Sequence, residues 1–132
     1  MKKEIIICTI VILIVVMGNI ITQNYTKKCV SSLNEQLSEI KESITIENKS
    51  DEEKTKLVTK SNDIKKAWDE MQELLCFYVE HDELEKVETQ LFLLEGEMET
   101  ELYADAIPEI EKCIFILEHI EDKTALTIKN IF

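Results

Sequence analysis

The sequence predicts an all-α protein: an N-terminal transmembrane helix, a heptad stem helix, then an antiparallel three- to four-helix bundle. Three observations carry that expectation. Only two glycines and one proline occur in 132 residues, too few to punctuate a β-rich or loop-rich chain. Apolar residues after position 29 recur at spacings of three and four, the period of a helix face, and no segment alternates with period two. The run Ile5–Ile21 holds no charge. The length suits one ordinary domain. The boundaries expected are an anchor over 1–22, a helical stem over 23–49 and an acidic bundle domain over 50–132.

The first element is the anchor. Its 17 residues, IIICTIVILIVVMGNII, reach ~25 Å at 1.5 Å per residue, against a hydrocarbon layer of ~30 Å. Thr22 and Gln23 can lengthen it, and Lys2 and Lys3 can reach back to the headgroups. A secretory signal begins the same way, but this run is longer than an ordinary signal core. No small-residue cleavage site follows, since the next residues are Thr-Gln-Asn-Tyr-Thr. The short basic tail Lys2-Lys3 favours an N-terminus inside the cytoplasm, although Lys27 and Lys28 beyond the run nearly balance it. The expected location is the cell membrane, crossed once, with the C-terminal domain outside the cytoplasm.

The stem shows Val30, Leu33, Leu37, Ile40 and Ile44, a narrow seam of coiled-coil spacing. Ser50-Asp-Glu-Glu53 is a capping box that opens the next helix. That helix carries Leu57, Ile64, Trp68, Met71, Leu75 and Tyr78 on one face. Asp82, with Glu85 three residues on, is the expected cap of a third helix with the seam Leu84, Val87, Leu91, Leu94 and Met98. Asp105 is the expected cap of a fourth, which would put Pro108 in its first turn, where no amide donor is missed. Its face is Ala106, Ile110, Cys113, Leu117 and Ile120.

Short connections make neighbouring helices antiparallel. Turns near 81 and 102 then place Trp68, Leu94 and Ile110 in one layer and Met71, Leu91 and Cys113 in the next. Leu75, Val87 and Leu117 follow, then Tyr78, Leu84 and Ile120. The core anchors expected are Trp68, Leu91, Leu94, Ile110 and Leu117. One conflict stands in this arrangement. A straight stem with helix two running back along it brings residues near 78 to bilayer depth. Either the chain bends near Thr22–Thr26, or helix two breaks at Ser61-Asn62-Asp63, where helix propensity is low.

Charge separates along the chain. Residues 1–49 hold six lysines and five glutamates; residues 50–132 hold nine lysines and 22 acids. A net charge of −12 argues against nucleic acid as a partner, because phosphate binding draws on basic residues. All 15 basic residues are lysine, so no guanidinium fork is available. Lys-Lys-Glu before the Ile-rich span, Asn24-Tyr25-Thr26, Trp68, the stretch Tyr78–Lys86, Cys113–Ile120 and the closing Leu126–Phe132 together resemble the bacterial family named domain of unknown function 4363. The resemblance runs over nearly the whole chain and rests on packing patterns. It implies a short, single-span, acidic helical protein of Gram-positive spore-forming bacteria, with no established activity and no catalytic residues to carry over.

The residues that could carry chemistry are few. Cys8, Cys29, Cys76 and Cys113 do not have the spacing of a zinc site or a redox pair. Cys76 and Cys113 fall about five residues apart in height, too far for a disulfide, and are expected reduced. His81 and His119 lie toward one end of the bundle, where a helix dipole favours imidazolium, and no metal or cofactor is expected. No nucleophile has a spaced base and no Gly-rich phosphate loop exists, so no catalytic residue is named and the protein is not expected to be an enzyme. The densest feature is acidic: between Asp82 and Glu111 eleven of twelve charged residues are acids. Glu95, Glu97, Glu99, Glu101, Asp105 and Glu109 form the candidate interaction surface, read either as a solvated face or as a docking site for a basic partner.

The functional expectation is a membrane-anchored, non-catalytic accessory protein whose acidic domain binds a partner protein. The stem would serve self-association or dock on its own bundle. The alternative is a surface sensor or binding module for a cation or small ligand held between the helices.

Overall fold

The computed structural model describes residues 2–46 and 48–125. Four helices follow one another: α1 (Lys2–Ile44), α2 (Asp51–Leu75), α3 (His81–Glu99) and α4 (Tyr103–Thr124). Each packs on its neighbours in sequence, and α4 closes the ring against α1. Among the described residues no strand forms, and the result is an up-down-up-down bundle.

Anchor and stem are one helix of 43 residues, ~64 Å long. Its first half is the one segment among the described residues long and apolar enough to cross a membrane, and none of its most apolar window is buried in the protein. Burial starts at Thr26 and continues at Cys29, Val30, Leu33, Leu37, Ile40 and Ile44. The stem seam is therefore the fourth wall of the bundle. It docks on the chain's own core.

Helix α2 begins as its sequence dictates. The Ser50 hydroxyl accepts the Glu53 amide, and the Glu53 carboxylate accepts the Ser50 amide at 2.7 Å, so two orphan donors are satisfied reciprocally. The carboxyl of Glu53 is held below its ordinary pKa by those bonds, the backbone one foremost. The helix then runs unbroken through Ser61-Asn62-Asp63. Ser61 is buried and donates its hydroxyl to the Val58 carbonyl, which satisfies the group that would otherwise oppose burial. It stands one turn from Leu57 and from Ile64 on the inner face, where a small side chain suits close packing.

Neither remedy for the depth conflict is used, because α1 also runs unbroken through Thr22–Thr26. The 25 residues of α2 match the length of α1 beyond Ile21, so the α2–α3 turn arrives level with the end of the apolar run. The Tyr78 hydroxyl lies 3.1 Å from the Thr26 hydroxyl and 3.5 Å from the Thr22 carbonyl oxygen. Residue 78 comes level with the end of the apolar run and not past it.

Two expected caps are corrected. Helix α3 starts at His81 with Glu80 at the cap and no side-chain bond to the cap; Asp82 sits in the first turn and pairs with Lys86 at 2.7 Å. Helix α4 starts at Tyr103 with Leu102 at the cap, and Asp105 falls in its first turn. Pro108 is consequently deeper in the helix than the first turn. The cause is the tight α3–α4 reversal. Glu101 takes a left-handed φ of 59°, Leu102 donates its amide to the Glu97 carbonyl at 2.9 Å, and Glu101 donates to Met98 at 3.4 Å. This is the two-bond C-terminal motif usually built around glycine, and it lets α4 begin three residues earlier than an Asp105 cap would allow.

One continuous core fills the bundle. Leu33, Leu37, Ile40, Ile64, Trp68, Val87, Leu91, Leu94, Met98, Ile110 and Leu117 all belong to it. Met71, Cys76 and Tyr78 are partly buried and packed against it. Ion pairs on the outside report the register: Lys123 reaches Glu83 at 3.4 Å, within one residue of the pairing set by a turn near 102. Lys60 meets Glu39 at 2.9 Å between α2 and α1, and Lys41 meets Glu111 at 2.7 Å between α1 and α4.

Candidate functional site

The acidic residues do not act as one surface. Glu97, Asp105 and Glu109 converge between α3 and α4, and Glu97 is half-buried, not fully solvated as a free outer face would have it. One carboxylate oxygen of Glu97 and one of Glu109 are buried without a hydrogen-bond partner. Burial first, then the neighbouring Glu109 and Asp105 charges, push the Glu97 carboxyl above its ordinary pKa, and Lys112 opposes the rise. Glu109 is tied to Lys112 at 2.8 Å. Glu101 leaves the group altogether and pairs with Lys54 on α2 at 2.8 Å. Among the described residues no three His, Cys, Asp or Glu side chains are grouped to hold a metal ion.

Glu95 and Glu99 lie on the outside of α3. With Phe92, Leu93, Gly96, Thr100 and Leu102, and with Glu97 shared between the two features, they line a shallow open depression. Phe92 is 66% exposed, and Leu93 and Leu102 are also exposed. The floor exists because Gly96 has no side chain, and a Cβ placed there would meet nothing within 4 Å. Glycine inside a helix costs about 0.5–1 kcal/mol against alanine, and no packing inside the bundle requires it here. Sequence reading singled out the charges of this region and missed its apolar floor. The signal was present in Phe92-Leu93, adjacent apolar residues that fall off the seam of Leu91 and Leu94.

The cysteines and histidines form no reactive constellation. Cys8, Cys29, Cys76 and Cys113 are all free thiols. Burial pushes the Cys113 thiol up to about 12 and raises that of Cys29, which withholds the thiolate needed for nucleophilic or redox chemistry. His81 and His119 are both exposed.

At the end of the bundle nearest the apolar run, Tyr25, Thr26, Cys29 and Tyr78 make a small polar cluster. Burial, then a hydrogen bond shared with Cys29, pushes the Tyr25 phenol up to about 12. The Tyr78 phenol is also raised by burial, opposed by its hydrogen bond with Thr26. The cluster fastens the α2–α3 turn to α1 and has no group poised to react near neutral pH.

No curated protein and no solved structure matches this chain. A family model does match residues 20–131, the span that holds all four walls of the bundle and stops short of most of the apolar run. The chain belongs to the family described as Domain of unknown function (DUF4363).

Proposed function

We propose that this is a membrane-anchored, non-catalytic accessory protein whose acidic helical domain, outside the cytoplasm, docks a basic partner protein. The observation that carries the reading is the depression over Gly96. An apolar floor made by Phe92, Leu93 and Leu102 and rimmed by Glu95 and Glu99 has the anatomy of a protein interface, with an apolar centre and a polar edge. The acidic rim selects against acidic partners and speeds encounter with basic ones. A glycine in the last turn of α3 with no role in internal packing is the kind of stability sacrifice that functional surfaces retain.

The reading is tested by separating stability from binding. Gly96→Ala adds a methyl group in open space and is expected to raise stability by about 0.5–1 kcal/mol. Gly96→Leu fills the depression. A photo-crosslinker at Leu93 in the native membrane should trap a discrete basic protein, and Gly96→Leu and Phe92→Ala should abolish that adduct without lowering the melting temperature. An adduct that survives both variants would sink the assignment of this surface.

A further inference from the structure

The end of the bundle nearest the apolar run carries an exposed aromatic that nothing among the described residues covers. Phe77, in the α2–α3 turn, is 82% exposed, and Leu74, in the last turn of α2, is exposed as well. Phe77 donates its amide to the Leu74 carbonyl at 3.4 Å, so the two residues stand one turn apart. Its neighbour Tyr78 is held against α1 by Thr26 and Thr22. That contact sets the height of the turn: Thr22 is the first residue after the apolar run and Thr26 is ~6 Å farther along the axis.

The apolar run itself is short. Seventeen residues cover ~25 Å of a ~30 Å hydrocarbon layer. Drawing the boundary up to make good the difference places Thr22–Asn24 at the edge of the hydrocarbon and the α2–α3 turn among the headgroups. Three aromatics gather at that height, Tyr25, Phe77 and Tyr78. Such side chains favour the membrane–water interface. Of the charges there, Glu80 and Glu83 are engaged by Lys123 at 3.4 Å each, Lys27 and Lys28 are exposed on α1 beside Thr26, and the exposed Glu73, one turn before Phe77, is the acid that the contact must leave in the headgroup water.

We propose that the α2–α3 turn is a second membrane contact, in which Phe77, backed by Leu74, enters the headgroup–acyl boundary of the same bilayer that holds α1. The bundle then stands directly on the membrane and is not carried above it on a stalk. This rests on reading Ile5–Ile21 as a membrane anchor, and the experiment keeps the two ideas apart.

Full-length protein is reconstituted at low density into phosphatidylcholine vesicles, with and without bromine on the upper acyl carbons. Phe77→Trp and Phe92→Trp are compared, with native Trp68 left as a buried and constant background. Flotation with the vesicles reports the anchor. Both substituted sites are exposed, so neither variant threatens folding. The Phe77→Trp signal is expected to be blue-shifted, shielded from iodide, and quenched by brominated lipid at least about twofold more than the Phe92→Trp signal, as an interfacial aromatic should be. Flotation combined with equal iodide access at the two positions overturns the second contact and leaves the anchor standing. Failure to float overturns both.

Discussion

Trp68 and Glu97 show at the scale of single residues how position decides consequence. Trp68 is fully buried, and its indole N–H has no partner. Trp68→Ala removes a large core ring and should cost 3–5 kcal/mol, enough to leave a domain of ordinary stability molten or unfolded at 37 °C. Trp68→Phe should cost distinctly less, because it also removes the unsatisfied donor. Thermal melts read by circular dichroism check both, and a Trp68→Ala variant with unchanged melting would contradict the core described here. Glu97 has the opposite character. Its carboxyl titrates above the ordinary range when folded, so the native state holds that proton more tightly than the unfolded chain does. Its contribution to stability therefore improves as pH falls from neutral toward the ordinary carboxylate pKa of about 4.3. Glu97→Gln should melt ~2–4 °C higher than the parent at pH 7, with the difference closing by about pH 4.5. A difference independent of pH would mean that charge is not the cause.

Elements were legible where pattern and packing agree. All the seam positions of α3 and α4, and those of the stem, are buried as their spacing required. The capping box at Ser50 was legible because both partners are local. The caps at Asp82 and Asp105 were not, because backbone geometry in the preceding turn starts each helix before the acid is reached. Ser61-Asn62-Asp63 read as a weak point, but propensity amounts to only tenths of a kcal/mol per residue, and a buried seam outweighs it. Glu97 looked solvated because alternation of Glu95, Glu97 and Glu99 hides which of them leans toward α4. The turn after α3 offers its own test. Glu101 occupies a left-handed conformation that glycine adopts freely, and its ion pair with Lys54 is on the surface and worth little. Glu101→Gly should therefore stabilise the domain by roughly 0.5–1 kcal/mol in denaturant melts. A loss of similar size would show that the ion pair governs.

The whole molecule is ordered by a single direction, set where the apolar run of α1 ends and the bundle begins. Both N-to-C descents, α2 and α4, return toward that level, so the α2–α3 turn and the end of α4 lie near the end of the apolar run. The α1–α2 and α3–α4 connections, with the Gly96 depression close to the latter, face away. Sequence alone carried the long apolar N-terminal helix and the antiparallel order. It could not supply the exact height of the return, which depends on how α2 matches α1 in length. The sidedness of this arrangement is read by protease applied to intact protoplasts: digestion of the bundle places it outside, and protection until lysis reverses the orientation.

A span and a bundle wall that share one uninterrupted helix behave mechanically as a lever. The Ile44 end of α1 stands ~33 Å beyond Thr22 at 1.5 Å per residue, so a tilt of ~20° within the bilayer, ordinary for a single span, swings the far end of the bundle sideways by roughly 11 Å. No hinge absorbs that motion, and the α2–α3 turn, seated on one side of α1, would act as a stop against leaning in that direction. On the proposed reading of Ile5–Ile21 as a span, bilayer thickness becomes a mechanical input that sets the azimuth and reach of the acidic, apolar-floored face.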